Sequence, residues 1–356
     1  MGLPRFRAGA VRDAGVGGAD ALGHSHHGRL RANRLHPDRR RTAGAATHRS
    51  SGGLRAGVRV RGSLQGRGGL SLARSLLFGV NVRPPAVSGR FYPSDPVELR
   101  ATVATLLADA RKAVRPSGRP VVAVVVPHAG YIYSGPTAAA VFARVTIPGL
   151  VIIVAPNHTG MSNAKSGVSL WEEGAFHTPL GDVPVDAGAA QALREISKGF
   201  VEVDHDAHRA EHAVEVELPF LQMLRSDVRI VPLVLAWDAW EPASQLGDVL
   251  ASLVRATGEP VLLLASSDLN HYEPARVSEE KDARALEAVT ALDGAELLAR
   301  CKRERISMCG RGPAAVVIAA ARALGAKQGE VVDYRQSGWV SGDNARVVGY
   351  AGVLIP

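Results

Sequence analysis

The chain has 356 residues, 46% of them apolar and 5% aromatic, with a formal net charge of +8; that length supports one large or two modest domains around a sizeable core. The charge is unevenly spread. Residues 1–80 hold 15 Arg, no Lys, no Glu and three Asp, or +12, whereas residues 81–356 hold 27 bases against 31 acids, or −4, so the basic balance is no argument for nucleic-acid binding by the folded part.

Residues 1–80 repeat short Gly, Arg, Ala and His combinations, such as Gly23-His24-Ser25-His26-His27-Gly28-Arg29. No helical or strand period is sustained, so the segment is expected to be disordered. Arg without Lys, interleaved with Gly and Ala, reads as GC-rich DNA translated upstream of an incorrectly assigned start. A disordered tail or a targeting segment is the alternative. Order is expected from residue 81 onwards, as one domain over 81–356.

The first helix signal is Asp95-Pro96-Val97-Glu98, a capping box with Pro at the first helical position, followed by apolar Val97, Leu99, Val103, Leu106 and Leu107. Four short continuous apolar runs then appear at Pro120 to Val126, Leu150 to Ala155, Arg229 to Leu235 and Pro260 to Ala265, which suit strands buried on both faces. Runs of about seven residues fall far short of the roughly 20 a membrane span needs. Helical patterns lie at Pro136 to Arg144, Asp186 to Ser197, Ala213 to Arg225, Glu241 to Ala256, Ser278 to Leu292 and Pro313 to Leu324, and a last strand at Arg346 to Ile355. Strands alternating with helices predict an α/β fold with a mainly parallel sheet flanked by helices.

In such sheets ligands bind beyond the carboxyl ends of the strands. The residues there are Pro127-His128-Ala129-Gly130-Tyr131, Asn157-His158-Thr159-Gly160 and Ser266-Ser267-Asp268-Leu269-Asn270-His271-Tyr272. Two more polar segments stand out: His208 to Glu217, and Ser307-Met308-Cys309-Gly310 before an apolar helix. Imidazoles and a thiolate from separate strand ends suit iron, copper or zinc with an open coordination position. Asp268, Glu211 and Glu215 either orient the imidazoles or supply the carboxylate of a two-histidine, one-carboxylate set. Asp268 and His271 read either as a general acid/base pair or as an Asx turn. Tyr131 and Tyr133 either line a pocket or pack under a turn. Cys309 is either a small buried residue or a thiolate favoured by a helix N-terminus. Cys301 lies within a helical pattern and has no assigned role, and His177 and His205 read as surface-loop residues. Two cysteines make no disulfide framework in a chain this long, which points to a cytoplasmic protein.

Seven ordered motifs resemble the MEMO family, whose prokaryotic members are called AmmeMemoRadiSam system protein B. They are Ala86-Val87-Ser88-Gly89-Arg90-Phe91-Tyr92-Pro93, Pro127 to Tyr131, Ala155-Pro156-Asn157-His158, Glu211 to Phe220, Ser266 to Tyr272, Met308-Cys309-Gly310 and Val347-Val348-Gly349-Tyr350. The resemblance implies a fold similar to the class III, LigB-type extradiol dioxygenases, an iron or copper ion held by His128, His158 and Cys309, and a cleft lined by Asp268, His271 and His212. Ala213 stands where the family commonly has Ser. The resemblance also implies AMMECR1-like and radical SAM proteins as partners, and an unidentified small-molecule or peptide ligand. The functions it leaves open are a metal-dependent redox or oxygen-handling role, a non-catalytic binding protein using the same cleft, and a ring-cleaving dioxygenase.

Overall fold

A computed structural model describes residues 81–113, 115–118 and 120–356; the expectations for residues 1–80 lie outside that range. The strands are β1 (Val82–Arg83), β2 (Ala123–Val126), β3 (Leu150–Pro156), β4 (Val168–Leu170), β5 (Ala175–Thr178), β6 (Gly181–Pro184), β7 (Glu202–Val203), β8 (Arg229–Leu235), β9 (Val261–Ser266), β10 (His271–Glu273), β11 (Glu330–Gln336) and β12 (Val347–Ile355). The helices are α1 (Pro96–Ala113), α2 (Tyr131–Phe142), α3 (Ala187–Ser197), α4 (Asp206–Arg209), α5 (Leu218–Leu224), α6 (Trp240–Thr257), α7 (Ala275–Thr290), α8 (Gly294–Glu304), α9 (Arg311–Ala323) and α10 (Gly338–Ser341). A 3₁₀ turn spans Glu215–Glu217.

The four apolar runs become β2, β9, β3 and β8, which lie side by side in that order and all run parallel. Their continuous apolar character follows from burial on both faces. Leu150, Ile152 and Val154 of β3 face one core, whereas Val151, Ile153 and Ala155 face the other. The first core is closed by α3, α6, α7, α8 and α9, through residues such as Leu193, Leu250, Val289, Leu297 and Val316. The second is closed by α1, α2 and α5, through Leu99, Val103, Phe142, Phe220 and Leu221. Antiparallel strands flank the parallel centre: β12 pairs with β2, β10 and β11 both pair with β12, and β4 pairs with β8. A separate small sheet has the order β1-β5-β6. The fold is thus mixed α/β with a central, mainly parallel sheet, and no strand order closes into a barrel among the described residues.

Two boundaries differ from expectation for identifiable reasons. Helix α2 begins at Tyr131 rather than Pro136, because the Tyr131 amide is anchored by the Phe91 carbonyl at 2.8 Å and Pro136 sits inside the helix. The helix expected over 213–225 is split into the 3₁₀ turn and α5; Pro219 has no N–H for the upstream carbonyls, so it sits in the first turn of a new α-helix that starts at Leu218. The Asp95 cap forms as read, its carboxylate accepting from the amides of Val97 and Glu98 at 2.9 Å each. Val97, counted on the apolar face, is nevertheless 75% exposed. Among the described residues no helix is long and apolar enough to cross a membrane.

Candidate metal centre

The site grows out of sheet register. Val126 at the end of β2 is opposite Ser266 at the end of β9, so the chain leaving each strand emerges at the same rim. There the His128 amide donates to the Asp268 carboxylate at 2.9 Å. His158 leaves β3, the next strand but one, and His212 arrives in the loop between α4 and the 3₁₀ turn. The three rings converge: His128 and His158 centroids lie 5.1 Å apart, His128 and His212 5.4 Å, and His158 and His212 stack at 4.6 Å. One donor nitrogen from each lies within 4.8 Å of the others, a set able to hold a metal ion.

Glu211 organises two of the three. Its carboxylate accepts from the His158 amide at 2.6 Å, the His158 Nδ1 at 2.9 Å, and the amides of His212 and Ala213 at 2.8 and 2.9 Å. A carboxylate can only accept, so the His158 proton sits on Nδ1 and its Nε2 lone pair is left for another partner. Burial opposes charge on His158, but the Glu211 bond outweighs it and raises the imidazole pKa. Burial lowers the pKa of His128 and of His212, and for His128 the neighbouring imidazoles add to the effect. Neutral imidazoles are the form that binds metal.

Glu215, read as a possible orienter of the imidazoles, serves the scaffold instead. It is fully buried against Arg83 at 2.7 Å and also accepts from the amides of Ala86 and Val87 and from the Tyr92 hydroxyl. Arg83 in turn donates to the carbonyls of His208 and Glu211, which fastens the first strand to the loop that carries His212.

Cys309 lies beside the cluster, its Sγ 3.3 Å from His128 Nε2 and 3.3 Å from the Asp268 amide. Of the two readings of Cys309, burial favours the small buried residue: desolvation, reinforced by the Asp268 carboxyl, pushes the thiol well up, against the pull of the helix N-terminus. The approach depends on Gly310, where any Cβ would run into the Ser266 carbonyl and the Ser267 side chain.

Of the two arrangements read from the spacing of Asp268 and His271, the Asx turn does not form. Asp268 accepts from the His128 amide and the amide of Asn270 goes to Asp282, so there is no Asx turn. His271 bonds the Ser307 carbonyl through Nδ1 at 3.0 Å, the Leu269 backbone also acts on its ring, and no hydrogen bond joins it to Asp268. Burial raises Asp268 to about 7, against the opposing amide of His128, and burial lowers His271. The next residue, Tyr272, holds φ at +61° although it is not glycine, and is 64% exposed; such backbone conformations cluster at functional sites.

Tyr131 is resolved as a packing residue, buried with its hydroxyl on the Val216 carbonyl at 2.7 Å, and Tyr133 is half-buried. His177 is on strand β5, exposed and paired with Asp182, and the His205 ring packs at a tilt against Trp171 with centroids 4.3 Å apart, so neither is a plain loop residue. His208 is buried on the Ser169 carbonyl, away from the cluster. A cavity of about 480 Å³ opens between Phe91, Leu106, Tyr131 and Ile132, and the Phe91 ring meets His212 edge-on at 4.9 Å.

Residues 83–354 match the family model described as "Memo-like protein". The chain belongs to the MEMO family. A MEMO1 family protein of Methanothermobacter thermautotrophicus is 40% identical over 277 residues, covering 76% of this chain and 99% of the relative. One of Methanopyrus kandleri is also 40% identical, over 76% of this chain and 98% of the relative, and one of Aquifex aeolicus is 38% identical, over 77% and 99%. A solved structure of an uncharacterized Escherichia coli K12 protein is 14% identical with a TM-score of 0.38, covering 65% of this chain and 99% of that one, too slight a likeness to argue from. In this MEMO-family domain His212 stands nearer the ion-binding role than its sequence suggested; its loop position carried no strand-end signal, and the adjoining acid Glu211 was the available clue.

Proposed function

We propose that this MEMO-family domain binds an iron or copper ion through His128, His158 and His212 and uses it in a redox or oxygen-handling step on a small ligand. The observation that carries the reading is the convergence of one donor nitrogen from each ring to within 4.8 Å. The donor set fits such an ion: burial favours the neutral form of His128 and His212, His158 presents Nε2, and the Cys309 thiol lies alongside as a further donor once deprotonated. The ion, when bound, supplies Lewis-acid and one-electron chemistry.

The chain's own residues supply the proton handling. Asp268, buried and poised at about 7, and His271, whose ring is held at the rim by the Ser307 carbonyl, are the candidates to hold or move a proton there. Cys309 makes the site softer than the carboxylate-containing set expected of a ring-cleaving dioxygenase, so a different oxidation is favoured. The proposal includes AMMECR1-like and radical SAM proteins as partners, on the family resemblance alone. A second reading, a docking groove without turnover, draws support from the 480 Å³ cavity at Phe91.

Elemental analysis of anaerobically purified protein tests the site. Wild type is expected to carry near-stoichiometric iron or copper, His128→Ala and His212→Ala to lose it, and Cys309→Ala to separate a three-imidazole site from one that needs sulfur. Retention of metal in both histidine variants overturns the proposal. Oxygen uptake with a catechol panel separates ring cleavage from the other functions.

A further inference from the structure

Behind the imidazole cluster lies a carboxyl that the reading above does not use. Glu217, at the end of the 3₁₀ turn, has no exposed surface. Its Oε1 is 2.9 Å from Ser266 Oγ, and its Oε2 has no hydrogen-bond partner among the described residues. Ser266 Oγ has two further neighbours, the Ala213 carbonyl oxygen at 2.7 Å and His128 Nδ1 at 2.8 Å.

A hydroxyl has one proton to give and two lone pairs to receive with. The Ala213 carbonyl can only accept, so the Ser266 proton belongs there. The other two neighbours then each have to bring a proton: one on His128 Nδ1 and one on Glu217 Oε1. The opposite arrangement, an ionised Glu217 taking the Ser266 proton, sets two oxygens with no proton between them at Ser266 and Ala213. It also buries an anion whose second oxygen has no donor, and the charged neighbour acting on it is the acid Asp268. An uncompensated buried carboxylate is far costlier than a neutral one.

We propose that Glu217 is a neutral carboxylic acid at neutral pH and a positioning residue: its O–H, donated to Ser266, turns the serine hydroxyl onto Ala213. Ser266 can then only accept from His128 Nδ1–H, and the His128 Nε2 lone pair faces the cluster. Burial pushing the Glu217 carboxyl well above the usual range agrees with this. Orientation of a ligating imidazole through its other nitrogen is the usual way a protein sets the tautomer that meets a metal. Only this last consequence rests on the metal-binding reading; the protonation pattern belongs to the metal-free protein.

The tests use the full chain without metal first. Infrared difference spectra of wild type against Glu217→Gln at neutral pH are expected to show a protonated-carboxyl band that the variant lacks. Nitrogen-15 spectra are expected to show His128 protonated on Nδ1 in wild type and in Glu217→Gln, whose amide N–H replaces the acid O–H, and a mixture of tautomers in Ser266→Ala. A carboxylate band assigned to Glu217, or His128 protonated on Nε2, overturns the proposal whether or not the protein binds metal. With iron or copper added, Glu217→Gln is expected to keep wild-type affinity, Ser266→Ala to lose about 10- to 100-fold, and Glu217→Met to fall between. Equal affinity in all four proteins overturns the positioning role while leaving the metal site standing.

Discussion

Replacing Glu211 by glutamine changes one oxygen to an NH₂ at the point where two ligand-bearing segments are clasped. Oε1 receives three donors, His158 Nδ1 and the amides of His212 and Ala213, and Oε2 receives the His158 amide. A glutamine that keeps its oxygen at the Oε1 position turns N–H groups onto the His158 amide, donor against donor; the flipped amide opposes three donors. One buried donor left unpaired costs about 1–3 kcal/mol of stability. Loss of the partner that orients a ligating histidine lowers metal affinity by about 10- to 100-fold. The pH profile distinguishes loss of charge from mere loosening. Burial alone depresses His158, and Glu211 outweighs it to raise the imidazole. Without that carboxylate the imidazole takes up its proton at lower pH. Competition titrations with a chromophoric chelator from about pH 5 to about pH 8 are therefore expected to show weaker binding at neutral pH together with a downward shift of the pH below which protons displace the metal. Weaker binding with an unmoved midpoint would reduce Glu211 to a clasp, and unchanged binding at every pH would refute its role.

Further outcomes follow from the same bonding. Arg83→Met leaves Glu215 buried without its cation and strips donors from two carbonyls, so urea unfolding is expected to show a loss of about 3–5 kcal/mol; a loss below about 1 kcal/mol contradicts the importance of this pair. Asp282, buried under Tyr334 and the Asn270 amide, is pushed up to about 7 by burial. The folded state therefore keeps a proton that the unfolded chain has released above its ordinary value of about 3.9, and stability falls as pH rises between these values. Asp282→Asn, neutral throughout, is expected to flatten that slope by up to about 1.4 kcal/mol per pH unit, and an unaltered slope in unfolding experiments across this range refutes the assignment. Gly310→Ala is expected to lower the melting temperature and to displace the Cys309 thiol; unchanged melting and thiol-labelling rates would show that the loop has room to spare.

The central strands were legible because burial on both faces leaves an unbroken apolar run, and the strand ends directed attention to His128, His158 and Asp268. The short strands were not, since β4 to β7 are two to four residues each, too short to establish a period against their loops. Chemistry at the rim was legible by residue type and illegible by partner. Glu211 and Glu215 stand four apart in one acidic segment, yet one serves the imidazoles and the other neutralises Arg83, from 132 residues upstream. Nothing local to either carboxylate distinguishes them. Cys309 shows the same limit: proximity to a helix start favours a thiolate, and the desolvation that opposes it is visible only in three dimensions.

Strand β9 is inserted between β2 and β3, although more than a hundred residues of chain are made between β3 and β9. Until Val261–Ser266 emerges from the ribosome, β2 and β3 have no common neighbour, and each presents a bare apolar edge of the kind that pairs with other chains. Fragments ending before residue 261 are therefore expected to clump rather than fold, and the nascent protein to depend on holding chaperones for most of its synthesis. The strand that completes the rim is also the keystone of assembly.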